Sequence, residues 1–116
     1  FNGFVPENEL RSYYIHADLT CFPSRYGFGL PTLESMACGT ATVSGKTLDA
    51  PEFVGDAGLL VNPEEPEDVA EKVSQLLMDN KLMIEIQEKG IHKAKNYCWQ
   101  KTADMTAQVY NEFDCF

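Results

Sequence analysis

The sequence is poor in positive charge: nine lysines and arginines stand against eighteen aspartates and glutamates, for a formal net charge of −9. A protein that neutralises many phosphates of a nucleic acid needs a basic stripe. Here the basic residues are spread thinly along the chain, so nucleic acid is not an expected partner. One small phosphate ligand stays open to it, because backbone N–H groups at a helix start can hold an anion without lysine or arginine. Long apolar runs are missing, as is a charged-then-apolar leader, which leaves no expected membrane span or signal segment. The cytoplasm is the expected compartment, with peripheral attachment of a full-length protein to a membrane left open. Cysteine is scarce too. Cys21, Cys38, Cys98 and Cys115 form no CxxC pair and no metal-ligand spacing, so reduced thiols and no metal are expected.

What is present suffices for one modest core, since 116 residues with 44% hydrophobic content fall within the usual size of a single domain. The chain opens without Met on Phe1-Asn2-Gly3-Phe4-Val5, which reads as a strand already under way. Residues 1–116 are therefore expected to be a single, truncated domain of a longer protein. There is no internal repeat and no low-complexity segment.

Strand and helix patterns alternate through the first half. After the strand at 1–5, closed by Pro6, the apolar residues Leu10, Tyr13, Tyr14 and Ala17 recur at helical spacing. Short β-prone runs follow at 18–22, 40–44 and 58–62, each mostly uninterrupted by polar residues. Such runs fit a parallel sheet covered on both faces better than a half-wet antiparallel one. A helix of about two turns starts near Pro31 and is capped by Gly39, and residues 50–54 form a short helical turn. The expected fold class is α/β: part of a doubly wound, Rossmann-like parallel sheet of about four short strands, with C-terminal helices. Those helices start near Pro66, with Val69, Val73, Leu76 and Leu77 on one face, then span about 81–96 with Gly90 as a weak point, then follow Trp99. In the last, Trp99, Ala103, Thr106, Tyr110 and Phe113 stand at steps of four, three, four and three, a stripe expected to be core packing.

The chemistry concentrates in Gly27-Phe28-Gly29-Leu30-Pro31-Thr32-Leu33-Glu34, which links a strand end to a helix start. Two glycines allow a tight turn and leave no Cβ in the way of a ligand. The first N–H groups of a helix lack intrahelical partners and carry the positive end of its dipole, so a diphosphate is a natural guest. Glu34, about one turn in, can accept hydrogen bonds from vicinal hydroxyls, as acidic residues do with ribose in dinucleotide-binding folds. The pattern points to a nucleotide whose phosphates meet backbone and whose ribose meets Glu34.

A two-glycine turn alone is weakly specific, but its surroundings are not. Phe22-Pro23-Ser24 followed by Gly27-Phe28-Gly29-Leu30-Pro31-Thr32-Leu33-Glu34-Ser35-Met36-Ala37-Cys38-Gly39-Thr40 resembles the hallmark block of the group 1 glycosyltransferases. Gly55-Asp56-Ala57-Gly58-Leu59-Leu60-Val61-Asn62-Pro63, after Pro51-Glu52, resembles that family's next block, and residues 1–10 with Ala17-Asp18 match what precedes it. The resemblance covers nearly the whole chain and implies the second half of the C-terminal, donor-binding domain of a retaining, metal-independent enzyme with two Rossmann-like domains. It implies a nucleotide-sugar donor as substrate, no cofactor, and a missing N-terminal acceptor domain. Residue by residue, Glu34 matches the glutamate that holds the donor ribose. Phe28, Gly29, Leu30 and Pro31 match the loop whose backbone lies against the donor sugar and phosphates, with Gly27 before them and Thr32 at the helix start.

The family's other glutamate, which contacts the transferred sugar, is expected just before Gly27, where this chain has Tyr26. Its basic diphosphate-gripping residues lie upstream of Phe1. No catalytic residue is therefore assigned, and the isolated chain is not expected to transfer sugar. The alternative is a non-catalytic nucleotide-binding or protein-interaction module of the same fold.

Blander readings stand beside these. Glu34 outside this block would be an ordinary solvated helix carboxylate. Glu52 either caps its short helix or reaches the donor site. His16 suits a helix C-terminus, His92 suits the surface, and Cys38 is a small packing residue. In the family the last helix often returns to the N-terminal domain, so its bared face is also a candidate for self-association.

Overall fold

The computed structural model describes residues 2–26 and 29–113. Helix α1 (Glu7–His16) leads to strand β1 (Leu19–Phe22), helix α2 (Leu30–Ala37), strand β2 (Ala41–Gly45), the short helix α3 (Ala50–Phe53) and strand β3 (Leu59–Val61). Three consecutive helices close the order: α4 (Pro66–Met78), α5 (Asn80–Ala94) and α6 (Trp99–Phe113). The strands form one parallel sheet in the order β1-β2-β3, with Leu19 opposite Ala41 and Val43 opposite Leu59.

Every residue of β2 is buried, as a central strand covered on both faces requires. Successive side chains of a strand point to opposite faces. Ala41 and Val43 enter one apolar cluster with Val61, Leu76 and Ile86, under α4 and α5. On the other face, Thr32 of α2 meets Ser44, and Leu33 and Met36 pack with Ala50, Phe53 and Val54 of the α3 region. The α/β architecture expected from the alternating pattern is the one observed.

The expected strand at 1–5 is absent from the described residues, so the sheet has three strands among them rather than about four. The cause is local. Gly3 sits at φ 64°, a left-handed conformation incompatible with extended backbone, and no ladder partner holds the segment.

Helix boundaries follow their caps. Pro66 stands at the first turn of α4 beside Glu67 and Asp68, and Asp79 caps α5 by accepting the Leu82 N–H at 3.0 Å. Lys89 on α5 bridges Glu85 at 2.8 Å and Asp56, in the turn before β3, at 3.0 Å. All three are exposed enough that solvent screens much of the attraction.

Gly90 is a weak point by helix propensity, and the packing around it leaves room for a methyl group. It lies buried where α5 crosses α2, and a Cβ there would reach Met36 at ordinary contact distance, 3.4 Å to its Cγ. Gly90→Ala is therefore expected to stabilise the fold by about 0.5–1 kcal/mol through helix propensity, read as a raised urea midpoint at unchanged m-value.

The largest departure concerns α6, which has no buried residue. Trp99, Tyr110 and Phe113 are 76%, 72% and 65% exposed, so the stripe is not core packing within this chain. Helical spacing identifies an apolar face, and whether a neighbour covers that face is a tertiary matter.

Candidate functional site

The strands are parallel, so the loops leaving their carboxyl ends gather at one edge of the sheet, where open α/β folds bind ligands. Here the segment after β1 (Pro23 to Tyr26), the segment after β2 (Lys46 onward) and Asn62 to Glu64 after β3 come together with the start of α2. Arg25 pairs with Glu64 at 3.0 Å, tying the first of these loops to the third.

Gly29 precedes α2 at φ 75°, ψ 36°, the left-handed region that suits glycine. It is buried, and a Cβ on it would fall 2.7 Å from Cζ of Phe53, so the α3 ring forms the floor of the turn. The Gly29 carbonyl accepts the N–H groups of Thr32 at 2.9 Å and Leu33 at 3.2 Å, and Pro31 has no N–H. Gly29 and Leu30 thus carry the remaining described N–H groups of the turn. Thr32 turns inward: its hydroxyl lies 3.2 Å from that of Ser44, fixing the helix start over the end of β2. Its side chain is buried and anchors the turn. Gly27 and Phe28 lie outside the described residues.

Leu30 and Glu34, four residues apart, share one helix face and line a groove of about 560 Å³. Its opposite wall includes Tyr97, Trp99 and Lys101, and Glu52 lies along it. Glu34 is exposed, and its Oε2 accepts a 2.8 Å hydrogen bond from the Tyr14 hydroxyl. Burial first, then the Glu34 carboxylate, push the Tyr14 phenol far above its ordinary range, so it acts as a donor at any physiological pH.

The Tyr26 side chain is 81% exposed, while its backbone is held by Ser24, whose hydroxyl donates to the Tyr26 carbonyl at 2.6 Å. His16 binds back onto its own helix, Nδ1 to the Ser12 carbonyl at 2.8 Å, away from this edge. Among the described residues no group of three or more His, Cys, Asp or Glu is placed to hold a metal ion.

A family model described as glycosyl transferases group 1 matches residues 1–79. The chain belongs to the group 1 glycosyl transferases. Among its relatives is the O-antigen chain mannosyltransferase B of Escherichia coli, 35% identical over 109 residues, which are 93% of this chain and 29% of that protein. Another is the D-inositol 3-phosphate glycosyltransferase of Corynebacterium jeikeium, 36% identical over 110 residues, 92% of this chain and 26% of that protein. The chain thus spans between a quarter and a third of the length of these relatives.

Solved structures agree. The sucrose-phosphate synthase of Thermosynechococcus elongatus superposes with a TM-score of 0.84 at 28% identity, covering 97% of this chain and 29% of that one. The C-terminal domain of a group 1 family glycosyl transferase from Francisella tularensis gives a TM-score of 0.74 at 35% identity, covering 83% of this chain and 51% of that domain. This group 1 glycosyl transferase chain thus matches about half of a structure that is itself a C-terminal domain. No helix among the described residues is long and apolar enough to cross a membrane.

Three residues of this region escaped sequence reasoning. Tyr14 meets Glu34 across twenty positions, and Phe53 reaches Gly29 across twenty-four, separations no periodicity reports. Gly45 carried a signal that went unread: a glycine within a strand marks close backbone approach.

Proposed function

We propose that this chain holds part of the nucleotide-sugar site of a glycosyltransferase, with the sugar passed to an acceptor bound elsewhere in a longer protein. The observation that carries the reading is the meeting, at the carboxyl edge of a parallel sheet, of a glycine-built helix start with Glu34 one turn away. In this reading the backbone of Gly27, Phe28, Gly29, Leu30 and Pro31 lies against the donor's phosphates and sugar. Pro31 and Thr32 shape the helix start, and Glu34 accepts from the ribose hydroxyls. No cofactor or metal takes part, and the acceptor domain lies outside the chain.

NMR titration of the 116-residue chain with UDP-, GDP- and ADP-sugars tests this. We expect saturable shifts around Leu30 and Glu34, with affinity lowered about tenfold or more by Glu34→Ala through lost hydrogen bonds to a charged acceptor. Saturable binding that Glu34→Ala leaves unchanged would count against the reading.

Tyr26 favours a second reading, in which the fold binds donor but does not transfer. Transfer by a longer protein carrying Tyr26 unchanged would dismiss it.

The bare stripe of α6 suits a second copy when the chain is alone. Trp99, the chain's one tryptophan, is then a built-in reporter. Sedimentation is expected to show association that grows with concentration, with Trp99 emission moving to shorter wavelength. A constant monomer mass would refute it.

A further inference from the structure

Glu34 is a solvent-facing glutamate with several rotatable bonds, and an unrestrained one gives up side-chain freedom when it engages a ligand. In this fold it is not unrestrained. The Tyr14 hydroxyl donates to Oε2 at 2.8 Å, which leaves Oε1 and a further lone pair to accept from other donors. Tyr14 is itself fixed from behind. Its backbone carbonyl accepts the Thr40 hydroxyl at 2.6 Å and the Ala17 N–H at 3.3 Å, so the end of α1 is clamped to the α2–β2 connection. The Ser35 hydroxyl, beside Glu34, lies 2.8 Å from the Thr20 hydroxyl and 3.3 Å from the Thr40 carbonyl, locking the same turn of α2 to β1. Helix α1 buries no residue, and the Tyr14 hydroxyl and carbonyl tie it to α2 and to the α2–β2 connection.

We infer that Tyr14 is a positioning residue for donor binding: it holds the Glu34 carboxylate in one orientation, with one oxygen occupied and the other presented to a vicinal diol. The inference rests on the donor-binding reading above. Tyr14 touches no ligand in this arrangement and acts only through Glu34. At neutral pH its hydroxyl is protonated, because burial and the carboxylate hold the proton on it, and it donates that proton to Glu34.

The test compares Tyr14→Phe, Glu34→Gln and the double variant in NMR titrations of the whole chain, using a ribonucleotide sugar and its 2′-deoxy counterpart. Tyr14→Phe keeps the ring, and its circular dichroism and urea midpoint verify that the fold persists. We expect Tyr14→Phe to weaken the ribonucleotide sugar about three- to tenfold, Glu34→Gln to weaken it more, and the double variant to match Glu34→Gln. The Tyr14→Phe penalty is expected to shrink with the 2′-deoxy donor, a difference that a merely structural loss would not produce. A penalty equal for both donors, or none beside a clear Glu34→Gln effect, overturns the positioning role and leaves the donor reading intact. If donor binds and Glu34→Gln is also without effect, or if no donor shifts any amide up to about 10 mM, the donor reading fails and the positioning role with it.

Should Tyr14→Phe not fold, ultraviolet titration of Glu34→Gln gives a second readout. The Tyr14 phenol is expected to ionise at lower pH than in the parent chain, still above its ordinary value because burial persists. An unchanged titration would show that the two groups are not coupled, and would overturn the inference.

Discussion

Gly45→Ala is expected to cost this domain more than about 3 kcal/mol, enough to consume a large part of the 5–15 kcal/mol typical of a folded domain. The conformation of Gly45 is not the cause, for its φ is not positive. The cause is contact. A Cβ built on Gly45 lands on the backbone carbonyl oxygen of Ser24 and lies 2.9 Å from its nitrogen. Side chains can swing away from an intruding methyl, whereas this backbone is pinned: the Ser24 N–H donates to Phe22 at 2.9 Å, and Phe22 is in register with Ser44. Relief would require the end of β1 to leave β2, and the segment from Ser24 to the α2 start hangs from that end. Urea denaturation monitored by circular dichroism measures the loss, and the donor binding proposed above should fall with it. An unfolding free energy within about 0.5 kcal/mol of the parent chain's would show that the two backbones do not approach so closely.

That close approach also shows what was legible in the sequence. Elements announced by several residues in rhythm were found. The β-prone run of β2 and the Val69, Val73, Leu76 part of the α4 face, from which Leu77 turns to solvent, each repeat a local signal, and local signals survive folding when a partner surface exists to receive them. The expected strand at 1–5 had the apolar content of a strand and no ladder partner, and Gly3 turned the backbone elsewhere. The α6 stripe had the right period and no neighbour. Both misreadings concern a surface that pattern cannot supply.

For the site, the glycine-rich helix start and Glu34 were legible because their chemistry is local to eight residues. Their supports were not. Tyr14, Phe53, Ser24 with Gly45, and the Thr32–Ser44 pair join segments between twelve and twenty-four residues apart, and only the fold brings them together. The sequence therefore marked the helix start and the place of Glu34 on it, and missed the residues that hold them still.

Phe53→Ala is the second large effect expected, and it separates these two kinds of contribution. Phe53 is 2% exposed and packs in the cluster with Leu33, Met36 and Val54, so truncating it should cost about 3–5 kcal/mol in lost burial and cavity. The same ring floors the Gly29 turn, with Cζ placed 2.7 Å from where a Cβ on Gly29 would sit. Phe53→Leu keeps most of the apolar volume and should cost only about 1 kcal/mol, yet it withdraws the ring from beneath Gly29. If the turn is held in its left-handed conformation by that floor, Phe53→Leu will weaken donor binding severalfold while the urea midpoint moves little. Stability and affinity falling in proportion would instead mean that Phe53 serves the core alone, and that Gly29 keeps its φ of 75° through its own hydrogen bonds to Thr32 and Leu33.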